Sequence, residues 1–222
     1  KTEERVVYVD FPINITDISD LPPQNILPGG VRNISFSVNI TGVTNKNDII
    51  NVNASISRGT SAGYNSSCAF TNQIGNIFNY SCALDLWYFD SPGEWNVSVN
   101  AYEARFGSYR RETFLVIMST IAVSHPGNIF WDNLFPGSQN QIQPFLLNNT
   151  ANQFISSVNM KGIDLIGQSI GNNIIPARNF TVGTQAGICS GNDMINGTSV
   201  TLTGVSIPVG NNSVNNGTEG QE

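Results

Sequence analysis

The chain has 222 residues, 40% hydrophobic, 9% aromatic and only 12% charged, about half the usual charged share, with 16 Asp and Glu against 10 Lys and Arg for a net charge of -6. That balance excludes a nucleic-acid or anionic-membrane partner: no basic cluster is denser than Arg105, Arg110 and Arg111, so phosphates would go unneutralised. No apolar run reaches the roughly 20 residues that span a bilayer, and no basic n-region with an apolar h-region opens the sequence, so either a cytosolic chain or an exported one whose signal has been removed is expected.

Residues 5–16, RVVYVDFPINIT, set Val7, Val9, Phe11, Ile13 and Ile15 on one face of a long alternating strand; Pro12 has no N–H to give to a ladder and suits it to an edge. A turn-rich connector, DISDLPPQNILPGG, follows. RNISFSVNITG then turns Ile34, Phe36, Val38 and Ile40 inward, and IINVNASIS does the same with Ile50, Val52, Ala54 and Ile56. Cys68 and Cys82 bracket a segment whose polar, Gly-containing centre lets it fold back as a hairpin and bring the thiols within bridging reach; the other reading is two reduced, buried cysteines. Cys189 is left over, as a lone thiol or an intermolecular link.

Next comes LDLWYFDSPGEWNVSVNAYE, two strands about a tight turn. Parity puts Leu84, Leu86 and Tyr88 inward on the first strand and Trp95, Val97, Val99 and Ala101 inward on the second, leaving Trp87 and Phe89 as outward aromatics that could meet a sugar, a glycan or a neighbouring subunit. A hairpin turning near Gly107 leads into TFLVIMSTIAV, continuously apolar and expected to run on past residue 118 between two domains. The second half reads the same way, without sustained helical periodicity; only QFISSVNMKGIDL is ambiguous. Pro-Gly turns at Pro28 and at Pro136, each ahead of an alternating strand, lie about one sandwich length apart and point to duplication.

N-x-[ST] sequons begin at Asn14, Asn33, Asn39, Asn53, Asn65, Asn79, Asn96, Asn148, Asn179, Asn196, Asn211 and Asn216. Alternation of apolar residues with Asn, Ser and Thr produces part of this excess on its own, but Asn65, Asn196, Asn211 and Asn216 stand in turn or tail sequence, where it does not. The expected location is extracellular, with N-linked glycans.

WYFDSPGEWNVSVNAYE resembles the signature of PKD-like and related immunoglobulin-like domains of archaeal cell-surface proteins, where an aromatic strand, a D-x-P-G turn and an aromatic-x-Val-x-Val strand recur. The Pro136-Gly137 turn, PFLLNNTANQF and IIPARNFTVG are similar to the following module of such proteins. The resemblance spans most of residues 25–210 on short motifs and implies an all-β protein of two tandem immunoglobulin-like sandwiches with extracellular, glycosylated, structural or adhesive roles; it brings no catalytic residues. The expected organisation is an extended strand and connector over 1–20, one sandwich over 21–118, a second over 119–210 and a polar tail over 211–222. Where such modules close with a final strand, VSIPVG here runs into the polar tail, so the second sandwich is expected to lack its last strand and to leave a vacant edge.

Catalytic chemistry is not expected. The single histidine, His125, sits by a Pro-Gly turn with no G-x-S-x-G elbow or characteristic cysteine signature in the chain. Zinc is not expected with three cysteines, two of them bracketing a hairpin. The carboxylate pairs Asp90 with Glu94 and Asp85 with Glu103 have cheaper turn and surface roles, and Asp10, Asp17 and Asp20 lack calcium-loop spacing. No cofactor is therefore expected. The expected function is that of a secreted, N-glycosylated structural protein, the repeating subunit of an archaeal extracellular filament: a homopolymer in which residues 5–16 of one copy complete the second domain of the next by donor-strand complementation, Val7, Val9, Phe11, Ile13 and Ile15 setting register. A surface-layer protein and a carbohydrate-binding adhesin using Trp87 and Phe89 on surface glycans are the alternatives.

Overall fold

A computed structural model describes residues 12–59, 61–104, 107–132, 134–135, 137–167, 173–185 and 191–210. Val7, Val9, Phe11, Asp10, Arg105, Cys189, Asn211, Asn216 and the polar tail lie outside these. The described chain is all-β apart from single 3-10 turns at Lys46–Asp48 and Ala177–Asn179, and it divides between Thr120 and Ile121 into two units.

Unit 1 contains β1 (Asn14–Ile18), β2 (Val31–Thr41), β3 (Ile49–Arg58), β4 (Ser61–Ser67), β5 (Ala69–Ile74), β6 (Ile77–Trp87), β7 (Gly93–Glu103) and β8 (Gly107–Ile117). They form two four-stranded antiparallel sheets, ordered β1-β2-β6-β5 and β4-β3-β7-β8. In immunoglobulin lettering these are A-B-E-D and C′-C-F-G, the strand order of that sandwich. The order follows from alternation: Ile34, Phe36, Val38 and Ile40 of β2, Phe78, Tyr80, Cys82, Leu84 and Leu86 of β6, Val52, Ala54 and Ile56 of β3, and Trp95, Val97, Val99 and Ala101 of β7 are all buried. Each strand has a single apolar face, and two such sheets bury those faces only against each other.

Three departures from expectation have local causes. Ile50 was expected inward but is 68% exposed, because the β3–β7 register shifts between Ile49 and Asn51 and Ile49 takes the inner place. The apolar run after Thr113 does not continue as strand: β8 stops at Ile117, and the Met118 N–H donates instead to the Gln24 carbonyl. Residues 5–16 are not one free strand in their described part. Asn14–Ile18 is the edge strand of unit 1's own sheet, pairing Asn14 with Thr41 and Ile15 with Ile40, and Ile13 and Ile15 are buried in its core. Gly42, at φ 93°, makes room for this: a Cβ there would lie 2.3 Å from the Pro12 carbonyl oxygen.

Cys68 stands between β4 and β5, where the chain leaves one sheet for the other, and it is disulfide-bonded to Cys82 of β6 with Cα atoms 4.2 Å apart. The expected fold-back is the β5–β6 hairpin, paired from Ala69 with Ser81 to Ile74 with Ile77. The bond pins the crossover to an interior strand.

Unit 2 is built differently. Its described strands form four antiparallel pairs: β9 (Val123–Ser124) with β10 (Asn148–Asn149), β11 (Ile155–Lys161) with β16 (Ser199–Ile207), β12 (Leu165–Ile166) with β13 (Ile174–Ile175), and β14 (Thr181–Val182) with β15 (Asn192–Asp193). The ambiguous QFISSVNMKGIDL is thus strand in its centre. Ile155, Ala177, Val182, Met194, Leu202, Val205 and Ile207 form a small core. A second complete sandwich is not formed by the described residues; between Ser124 and Asn148, where alternating strands were expected, none is described.

Candidate interaction sites

The DSPG turn orders the aromatic hairpin of unit 1. Asp90, 4% exposed, accepts the Trp87 N–H on Oδ2 at 2.8 Å and the Tyr64 hydroxyl on Oδ1 at 3.0 Å, while its own N–H donates to the Trp87 carbonyl at 3.0 Å. The Trp95 Nε1–H donates to the Ser91 carbonyl at 2.8 Å, clamping the indole across the turn. Gly93 closes it at φ 119°, beside the Arg58 guanidinium whose Nη1 donates to the Pro92 carbonyl at 2.6 Å. Trp87 and Phe89 do point away from the core, but they are half-buried and stacked on one another, ring centroids 5.7 Å apart at 18°, with Tyr88 edge-on to Phe89.

Burial pushes the Asp90 carboxyl above its ordinary 3.8, outweighing the two hydrogen bonds that pull it down; burial, then the charge and hydrogen bond of Asp90, push the Tyr64 phenol up. The folded chain therefore holds the Asp90 proton more tightly than the unfolded chain. This contribution to stability is full below 3.8 and is lost as pH rises through the raised folded value. Asp90→Asn should remove it: the urea midpoint of the parent relative to the variant should fall as pH rises through the acid range, and parallel profiles would refute the assignment.

The glycosylation candidates scatter over both outer faces of unit 1 and the loops of unit 2. Asn14, Asn33, Asn65, Asn179 and Asn196 are exposed, while Asn39, Asn53, Asn79, Asn96 and Asn148 are half-buried. Among the described residues no three His, Cys, Asp or Glu side chains are grouped to hold a metal, Asp17 and Asp20 being exposed. Asp85 accepts the Asn33 amide at 2.9 Å and Glu103, buried, accepts the Ile13 N–H at 3.4 Å, so neither carboxylate pair forms an open cleft. No described helix is long and apolar enough to cross a membrane.

Sequence reasoning underestimated the surface of unit 2. β9 and β10 close the base of an excursion, pairing Asn148 with Ser124 and Asn149 with Val123. Buried Asn149 holds the following turn: its Oδ1 accepts the Ala151 N–H at 3.0 Å and its Nδ2 donates to the Gln153 carbonyl at 2.7 Å. Within the excursion Phe130 is 67% exposed, Phe135 74%, Leu146 61%, and Ile129, Leu134 and Ile142 are exposed as well. Its two arms enclose an open groove of about 560 Å³ lined by His125, Phe130, Pro144, Phe145 and Leu146. Trp131 leans on Phe180, centroids 5.8 Å apart, and Leu147 packs on the small core, so each arm has one anchor while the neighbouring Phe130 and Leu146 face solvent. The signal was in the sequence, as the apolar runs Ile129-Phe130-Trp131 and Phe145-Leu146-Leu147 set among turn residues without regular alternation. No protein-family model matches the chain, and no characterised protein resembles it closely enough to count as a relative.

Proposed function

We propose that this chain is the repeating subunit of an extracellular, N-glycosylated filament of the archaeal surface kind, joined head to tail by the leading segment of one copy adding a strand to unit 2 of the next. The observation that carries the reading is the apolar excursion of unit 2, which pairs with no strand among the described residues: a surface with Phe130, Leu134, Phe135 and Leu146 exposed is of the kind that marks a protein–protein contact. Strand addition suits it, because main-chain ladder bonds give adhesion while alternate side chains fill pockets. With Ile13 and Ile15 in the core of their own unit, the donor is narrowed to Val7, Val9 and Phe11 in residues 5–11. The disulfide supports an oxidising compartment. A heterologous contact of this type propagates instead of closing.

Deleting residues 1–11 tests the reading while keeping the buried Ile13 and Ile15. The full chain should form fibres by electron microscopy, and the truncated chain should sediment as a monomer with unchanged circular dichroism. Normal fibres from the truncated chain would sink the donor-strand mechanism, and two-dimensional sheets from the full chain would favour a surface layer.

A further inference from the structure

Five sequons share a geometry that the loop sequons lack. In Asn33-Ile34-Ser35, Asn39-Ile40-Thr41, Asn53-Ala54-Ser55, Asn79-Tyr80-Ser81 and Asn96-Val97-Ser98 the central residue is buried in the sandwich core. All five lie on β2, β3, β6 or β7, the interior strands of the two sheets; Asn39, Asn53, Asn79 and Asn96 have ladder partners on either side, whereas Asn33 pairs only with Asp85 of β6, since β1 meets β2 only from Val38 to Thr41. Asn39 and Asn79 are direct cross-strand partners. Three acceptor amides are already engaged: Asn33 Nδ2 donates to Asp85 Oδ1 at 2.9 Å, Asn79 Nδ2 to Asn72 Oδ1 at 2.7 Å, and Asn96 Nδ2 to Ser98 Oγ at 3.3 Å. By contrast Asn65 lies on edge strand β4, Asn179 ends an exposed 3-10 turn, and Asn196 precedes Gly197 in an exposed turn. Asn14, on an edge strand but with Ile15 in the core, and Asn148, followed by buried Asn149, fall between the two sets.

Sugar transfer makes demands that an interior strand cannot meet. The transferase must hold the asparagine and the hydroxyl residue two positions on, and bring Nδ2 to the anomeric carbon of a lipid-pyrophosphate-linked oligosaccharide. The C1–Nδ2 bond forms, the C1–O bond to pyrophosphate breaks, the Nδ2 proton passes to a base of the transferase, and the lipid pyrophosphate leaves. In a sheet the neighbouring strands run about 4.8 Å to either side, so a cleft cannot close around one strand. Lifting the strand out would break both ladders and expose Ile40, Ala54 or Val97, each fully buried.

Resting on the glycoprotein reading above, we infer that transfer to Asn39, Asn53, Asn79 and Asn96 precedes closure of unit 1, whereas Asn65, Asn179 and Asn196 remain acceptors in the folded chain. Glycans on the interior strands are then a record of the unfolded interval, and folding speed competes with transfer for them.

The test uses the full chain made without glycans, its disulfide formed, incubated with transferase-bearing membranes and a lipid-pyrophosphate oligosaccharide, and mapped by glycopeptide mass spectrometry. The folded chain should be modified at Asn65, Asn179 and Asn196 and not at Asn39, Asn53, Asn79 or Asn96. Leu115→Asp, which puts a charge in the core of unit 1 and alters no sequon, should open all four. Modification of the four in a chain whose hydrogen exchange shows unit 1 folded would overturn the order, as would their refusal in Leu115→Asp while the other three accept. Refusal at every sequon in both chains would remove the glycoprotein reading itself, and this inference with it.

Discussion

Replacing Trp95 by alanine is expected to cost unit 1 about 3–5 kcal/mol, the range for truncating a large aromatic in a packed core. The indole is 3% exposed, faces Leu115 across the β7–β8 ladder, and gives its N–H to the Ser91 carbonyl. Removing it opens a cavity between the sheets and takes a hydrogen bond from the turn. Trp95→Phe keeps most of the packing and should recover most of the loss, leaving a deficit of about 1 kcal/mol for the hydrogen bond. Urea unfolding followed by circular dichroism would measure both; a loss below about 1 kcal/mol for the alanine variant would deny Trp95 its bracing role.

Opening the Cys68–Cys82 bond should have an effect of similar size. The cross-link closes a loop with a sequence separation of 14, for which the chain-entropy model gives about 3 kcal/mol. Its position adds to this, because it fixes the point where the chain crosses between sheets, and Cys82 is fully buried opposite Phe36. Cys68→Ser, which leaves Cys82 as a small apolar thiol, is the cleaner variant. Its unit 1 transition should move to lower denaturant while that of unit 2 stays in place. Unchanged unit 1 unfolding on reduction would show that the crossover is held by the ladders alone.

Unit 1 was largely legible because each of its main strands obeys a period of two and finds a partner. The inward sets of β2, β6 and β7 follow directly from parity, Tyr88 and Trp95 included. Ile50 failed because a one-residue register shift is invisible to parity and reverses every side chain before it. Trp87 and Phe89 were placed on the correct side, but their mutual stacking depends on the turn geometry set by Asp90. Tyr64 was missed altogether: its hydroxyl reaches Asp90 across 26 positions, a contact that no local pattern encodes.

Unit 2 was less legible. Alternation specifies a strand's two faces but not what lies against them, and around Gln141 it breaks down, a lone Ile142 between glutamines being followed by Pro144 and the consecutive apolar Phe145, Leu146 and Leu147. The paired Pro-Gly turns likewise suggested two equal halves, yet the first leads into β2 and the second is followed by no described strand before Asn148.

The seating of β1 carries a mechanical consequence. In the proposed filament, tension passed along the leading segment would enter the described chain at Pro12, and a few residues on, that chain is gripped from three directions. β1 pairs with β2 from Asn14 to Ile18, the Ile13 N–H donates to Glu103, and Arg111 Nη1 of β8 donates to the carbonyls of Ile15 and Thr16. The close approach of Pro12 to Gly42 fixes where that grip begins. Force directed along β1 strains these bonds in shear, all at once, whereas force across the sheet would peel the ladder one pair at a time. The same few hydrogen bonds are thus strong against stretching and weak against twisting away, which gives the first strand a preferred direction of pull.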